Sequence, residues 1–192
     1  MAARGYFQAF QAVQESIGRV LRGDNPGEIA REDHRAWYRE MFAPSVTAGL
    51  LRPADLAGYR NGPVYIRQSM HAPPNRDAVL DVMPVFFDLL RDETDPAVRV
   101  VLGHFVFVYI HPYMDGNGRM GRFLMNLMMA AGGYPWTVVP VAQRKAYMAA
   151  LENASVGEDI GPFAEFLAGF VGRRLAGEPL PEVPKASFDE RQ

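Results

Sequence analysis

"HPYMDGNGRMGR", residues 111–122, is the stretch from which the rest of the chain is best read. Within it, Gly116-Asn117-Gly118 permits backbone conformations closed to larger residues, so that successive N–H groups can turn into one concavity and bind an anion. A helix starting near Gly118 would add its positive N-terminal end to the same spot. Arg119 and Arg122, three apart, share a helix face, and two cations suit a polyphosphate better than a single carboxylate. Asp115 stands where one carboxylate could hold Mg²⁺ on phosphates, because magnesium takes one or two protein carboxylates and completes its shell with phosphate oxygens and water. His111, with an unperturbed pKa of about 6.5, is the natural proton acceptor at neutral pH. Each part alone has an ordinary reading: a helix-end histidine, turn dipeptides, a solvated pair of arginines. Jointly they point to a phosphoryl- or nucleotidyl-transfer site.

Upstream of this loop, Asp95-Pro96 is a helix start, an N-cap acceptor with proline at the first helical position. The segment behind it, Val98 to Ile110, is apolar nearly all round, as in a helix surrounded by others. Its "FVFVYI" end keeps a buried strand as the competing reading, and helix is preferred. Phe7, Phe10, Val13, Ile17, Val20 and Leu21 predict a first helix that stops at Gly23-Asp24-Asn25-Pro26-Gly27. Ile29, Trp37 and Met41 predict a second, ending before Pro44. Val79, Val82, Met83, Phe86 and Leu90 predict a third, with Pro84 in its first turns or kinking it. Downstream, the pattern continues over Arg119 to Ala131, through Tyr147, Ala150, Leu151 and Ala154, and along Phe163, Phe166, Leu167, Phe170 and Val171. Residues 59–75, "YRNGPVYIRQSMHAPPN", differ and read as an extended or hairpin-like segment amid helices. From Gly177, Pro179, Pro181 and Pro184 indicate a linker or frayed end.

The 192 residues suggest one domain against a prior of roughly 150. With 48% apolar and 22% charged residues, wholesale disorder is excluded. Twenty basic against 22 acidic side chains leave −2, which gives no bulk drive towards nucleic acid or anionic lipid. The lack of cysteine removes disulfides, thiolate nucleophiles and Cys-type zinc sites. No apolar h-region opens the chain, and its longest apolar run is far short of a bilayer span, so the expectation is a soluble cytoplasmic protein without a membrane partner. His34, His71 and His104 have no metal-ligand spacing and read as surface or satisfied core. The methionines between Met120 and Met129 read as helix packing.

The run HPYMDGNGRMGR resembles the signature of the Fic domain, H-P-F-x-(D/E)-G-N-G-R-x-x-R. The likeness extends to "VYIHPY", to "FLMNLMMAAGGYP", to "QRKAYMAALENASVGEDIGPFAEFL" and to the upstream "GPVYIRQSMHAPP". It thus covers about residues 5 to 175. It implies an all-α helical bundle with a short β-hairpin flap over residues 1–176, followed by a flexible Pro-rich tail over 177–192. It also implies transfer of AMP from ATP to a Ser, Thr or Tyr hydroxyl of a target protein, with release of pyrophosphate. On that resemblance His111 is the base, Asp115 ligates Mg²⁺, and Gly116, Asn117 and Gly118 cradle the phosphates. Arg119 and Arg122 bind the polyphosphate, Arg122 at its γ end; Tyr147 and Ser155 line the adenine pocket. Val64, Tyr65 and Ile66 form the flap edge that aligns an extended target segment.

Two departures from the family pattern stand out. Tyr113 replaces the usual Phe and brings a hydroxyl in need of a partner. Many relatives carry an inhibitory (S/T)-x-x-x-E-(G/N) helix, but here the one Glu followed by Gly or Asn, Glu152, has Met148 four residues before it. Restraint then lies in a partner chain, in a segment outside this sequence, or nowhere. Transfer of another phosphate-containing group, removal of AMP, or a non-enzymatic module that binds nucleotide or protein are the alternatives. A Doc-like phosphotransferase is disfavoured by Gly116-Asn117-Gly118-Arg119, where that branch resembles A-N-K-R.

Overall fold

Three helices of this chain begin where the sequence supplies a side-chain acceptor for their unpaired first N–H groups. A computed structural model describes residues 1–179. In order, the helices are α1 (Ala2–Leu21), α2 (Pro26–Thr47), α3 (Arg76–Asp92), α4 (Pro96–Ile110), α5 (Asn117–Ala131), α6 (Arg144–Ser155) and α7 (Gly161–Leu175). Asn25 caps α2 by accepting from the N–H groups of Gly27 and Glu28, and Asn75 caps α3 through Ala78 N–H at 2.9 Å. Asp95 accepts from Ala97 and Val98 N–H at 2.8 and 3.1 Å, so the Asp-Pro start of α4 holds and "FVFVYI" is helical.

α5 is the centre. Met120, Phe123, Leu124, Met125, Leu127, Met128 and Met129 are all fully buried there, which gives the methionines the packing role expected of a flexible, polarisable side chain. Around it α4, α1 and α2 supply Phe107, Val13 and Trp37, while α3 closes the far side of α2 and α4 with Met83, Phe86 and Leu90. α6 and α7 pack on each other and reach α4. Two glycines set the closeness of these layers. A Cβ on Gly5 would lie 2.0 Å from the Met41 carbonyl oxygen, and one on Gly27 2.2 Å from Arg91 N, so α1 meets α2 and α2 meets α3 backbone to backbone.

Several expectations need correction. Pro44 lies inside α2, in its last turns, rather than beyond its end, and Pro84 lies in the middle of α3. Each forfeits one i→i−4 bond, and packing on the core outweighs that loss. α4 is less enclosed than its composition predicts: Val98 and Tyr109 are exposed, and an apolar groove runs between α4 and α7 past Val101, Ala164 and Ala168. No strand occurs among the described residues, so the flap is not a β-hairpin. Between Pro63 and Pro74 its one internal backbone bond is the turn from Ser69 N–H to Ile66 O at 3.2 Å. Three prolines without N–H groups leave too few partners for a two-stranded ladder, which is marginal even when complete. The tail beyond residue 179 lies outside the described residues. No described helix is long and apolar enough to cross a membrane.

Candidate active site

Where α4 ends, the chain must reverse sharply to enter α5, and the motif residues make that reversal. His111 is the C-cap of α4, in the left-handed region at φ 53°, ψ 57°, with its N–H on Phe107 O. Gly116, at φ 84°, is the N-cap of α5, and a Cβ there would sit 3.1 Å from the Phe42 ring. Between these two, Asn117 closes the loop: its Oδ1 accepts from Tyr113 N–H at 2.9 Å and its Nδ2 donates to Tyr113 O at 2.8 Å. The carboxamide of Asn117 is therefore spent on loop shape, and what it offers a ligand is its backbone N–H. No side chain caps α5, which leaves its positive end open for an anion.

That end faces a cavity of about 450 Å³, large enough for a nucleotide-sized ligand. Its lining includes His111, Asp115, Gly116, Asn117, Gly118, Arg119, Arg122, Tyr147 and Ser155, with Tyr65 and Ile66 of the flap on the other side. Of the residues singled out in the sequence, Val64 alone does not line it. A bulk charge of −2 conceals a local excess of cations here, because Arg67 and Arg144 join Arg119 and Arg122 while the carboxylates are Asp115 and Glu152.

The imidazole of His111 is set by its own helix. Nδ1 lies 3.1 Å from Val108 O, and since a carbonyl only accepts, Nδ1 carries the proton. Nε2 has no partner among the described residues and keeps its lone pair. Burial lowers the His111 pKa below its ordinary value; the Val108 bond works against this, Arg60 and His71 add to it, and Asp115 opposes it. The ring is thus neutral at pH 7, the state a proton acceptor needs. Asp115 pairs with Arg119 at 2.8 Å, and the Arg119 guanidinium lies 5.2 Å from the Phe42 ring centroid. One largely exposed carboxylate beside an anion cradle is the donor set of a hard cation that arrives on phosphate oxygens. No cluster of three or more His, Cys, Asp or Glu residues among the described residues would hold a resident metal.

Arg60 escaped the sequence reading, and Glu152, His71 and His104, named there only as a non-inhibitory glutamate and as surface or core histidines, support the site. Arg60, 4% exposed, donates to His111 O from Nε at 2.8 Å. Glu152 fastens the flap to α6, accepting from Ser69 Oγ at 2.5 Å and Met70 N–H at 2.7 Å. Its part here is a flap tie. His71 donates from Nε2 to Tyr109 O at 2.8 Å, and its ring packs on Tyr109. His104, fully buried, shares a 2.8 Å hydrogen bond with the Tyr147 hydroxyl. Burial raises the Tyr147 pKa while the nearby Arg122 guanidinium lowers it, so this pair stands behind Arg122 at the cavity. None of these residues stands in a motif; only the low odds of a lone charge in an otherwise apolar or turn-rich segment could have drawn attention to Arg60.

Comparison with known proteins agrees with this geometry. A family model described as Fic/DOC family matches residues 28–129. Protein adenylyltransferase fic-1 of Caenorhabditis elegans is 34% identical over 145 residues, 73% of this chain and 27% of that protein. Protein adenylyltransferase Fic of Drosophila virilis is 36% identical over 152 residues, 77% of this chain and 30% of that one. The chain therefore spans between a quarter and a third of these relatives. A solved structure of C. elegans Fic-1 (residues 134–508) superposes with a TM-score of 0.74 at 25% identity, over 92% of this chain and 50% of that one. A Fic-domain protein from Bacteroides thetaiotaomicron shares the fold, with a TM-score of 0.68 at 18% identity.

Proposed function

Because this chain belongs to the Fic/DOC family, we propose that it is a protein adenylyltransferase, moving AMP from ATP to a hydroxyl of a target protein. The observation that carries the reading is the neutral His111 ring, its Nδ1 committed to Val108 and its Nε2 free, beside the uncapped N-terminus of α5 in one cavity. The target hydroxyl gives its proton to His111 Nε2 as its oxygen bonds to the α-phosphorus. The bond from that phosphorus to the β-phosphate oxygen breaks, and pyrophosphate leaves. Backbone N–H groups of residues 116–118 and the side chains of Arg119 and Arg122 hold the phosphates and meet the charge that builds on them. Asp115, now paired with Arg119, would hold Mg²⁺, which when bound would offset phosphate charge, and Arg119 would be available to phosphate. Tyr147 and Ser155 stand where the adenosine half would lie.

Target recognition is assigned to residues 64–66. They lie outside any helix or strand, and apart from Ile66 O, which accepts the Ser69 N–H, no backbone hydrogen bond among the described residues engages their peptide groups, which leaves those groups to pair with an extended segment of the target. Residues 1–176 would act as the catalytic domain, with the tail from 177 as a linker, and any inhibitory restraint would come from a partner chain or a segment outside this sequence.

The test is intact-mass analysis of protein and lysate targets after incubation with ATP and Mg²⁺, for the native chain and His111→Ala. An added AMP that vanishes in the variant, with ATP still bound, is the expected result. Equal modification by both chains would remove His111 from the chemistry; no modification, with binding intact, would favour a nucleotide-binding module.

A further inference from the structure

Arg60 is an unusual buried cation. It is 4% exposed, yet among the described residues no carboxylate pairs with it and its guanidinium meets only main-chain carbonyls. Nε donates to His111 O at 2.8 Å, Nη1 to Gly62 O at 3.0 Å, and Nη2 to Pro74 O, while its own N–H donates to Pro112 O at 2.8 Å. Burying a charge is costly unless hydrogen bonds replace its water, so a fork filled by three carbonyls fixes four peptide groups relative to one another. Two of those groups bracket the flap, and the other two are the consecutive carbonyls of His111 and Pro112.

His111 is where such a fixture matters. It is a non-glycine residue in the left-handed region, a conformation that persists only where its surroundings over-determine it. Its N–H is tied to α4 through Phe107 and its ring to α4 through Val108. On the carbonyl side, the hydrogen bonds come from Arg60: Nε to His111 O and N–H to Pro112 O. From this double hold we infer that Arg60 is a positioning residue that locks the His111 backbone in its left-handed turn and so aims Nε2 into the nucleotide cavity, besides closing the base of the flap. The inference rests on the reading of His111 as the base. It differs from a bare packing role in placing the effect of Arg60 on the rate of transfer rather than on nucleotide affinity.

Arg60→Met keeps the aliphatic stem and removes every guanidinium donor; Arg60→Lys keeps a charge that can reach one carbonyl at a time. In the folded Met variant kcat for AMP transfer falls about 10- to 100-fold while KM for ATP changes less than about twofold, because a displacement of about 1 Å costs rate on that scale. The Lys variant falls between it and the native chain. The backbone ¹³Cα and ¹⁵N resonances of His111 leave their left-handed positions in the Met variant. Should the Met variant not fold, the Lys variant carries the same comparison at smaller amplitude. Undiminished kcat in a folded variant, a loss seated in KM, unmoved His111 resonances, or unfolding of both variants overturns the inference. A native chain that transfers no AMP would instead sink the adenylyltransferase reading, and the resonances alone would then decide what Arg60 does.

Discussion

Tyr113 buries its hydroxyl without a partner among the described residues, although the ring itself stacks on Tyr38 at 3.7 Å between centroids. A buried, unpaired hydroxyl costs on the order of 1 kcal/mol or more. Tyr113→Phe should therefore leave Tm unchanged or raise it by about 2–4 °C, the response of a chain of this size to about 1 kcal/mol; a clear fall would mean that the hydroxyl has found an acceptor. For His111 the expected sign follows from its environment. Burial, aided by Arg60 and His71 and opposed by Val108 and Asp115, puts its pKa below 6.5. Transfer measured as kcat/KM should then stay level as pH falls from 8 to about 6.5 and decline only at more acid values, where the base becomes protonated. An acid limb centred above 6.5 would place the ring in a different electrostatic setting. Residue chemistry was the most legible part of the sequence: the spacing of His111, Asp115, Arg119 and Arg122 anticipated that they line one cavity, since all four lie in one short loop and the helix it starts. Asn117 was legible as a site residue, but its use as a clamp on Tyr113 was not, because a carboxamide suits phosphate and peptide groups equally well.

At the scale of elements, two ties can be cut separately. Gly27→Ala would push a methyl into the α3 backbone, 2.2 Å from Arg91 N, where no side chain can yield. A loss of at least about 2 kcal/mol is expected, of the size seen for overpacked contacts, and chemical denaturation would measure it. A variant as stable as the native chain would contradict the closeness of α2 and α3. Glu152→Ala acts on the flap alone. It frees Ser69 Oγ and Met70 N–H, so trypsin should cut after Arg67 about tenfold faster with little change in Tm, as for a local opening. Cleavage at the native rate would show that the flap is held by something else. Helix starts at Asn25, Asn75 and Asp95 were readable because capping is local. The flap was readable as a break among helices, but the hairpin implied by the resemblance does not form, and its anchors, Arg60 on His111 and Glu152 on Ser69, come from 51 and 83 residues away in sequence. Pro44 misled for the same reason, since packing across helices decides whether a helix survives a missing bond.

The molecule as a whole buries two further histidines in neutral form. Burial, the dominant cause for both, takes His34 and His104 down to about 4. With folded values below the unfolded 6.5, the unfolded chain binds protons first as pH falls. Their contribution is therefore fully present above about pH 6.5 and is lost as pH falls towards 4, on the order of 3 kcal/mol for each. Thermal melts should thus show Tm dropping between pH 6.5 and 4.5, before most carboxylates titrate; a flat Tm over that window would mean that these rings are already charged or solvated in the fold. Composition set the limits at this scale, yet a net −2 could not reveal that Arg67, Arg119, Arg122 and Arg144 gather around one cavity, because charge placement is a property of the packed chain. That cavity, lined by His111 and by the uncapped start of α5, is the basis of the proposed activity. The most direct measurement is to incubate the native chain with Mg²⁺, lysate targets and ATP labelled either on the α- or on the γ-phosphorus. Label should reach protein from the α position and not from the γ position; transfer from the γ position, or from neither, would contradict adenylyl transfer.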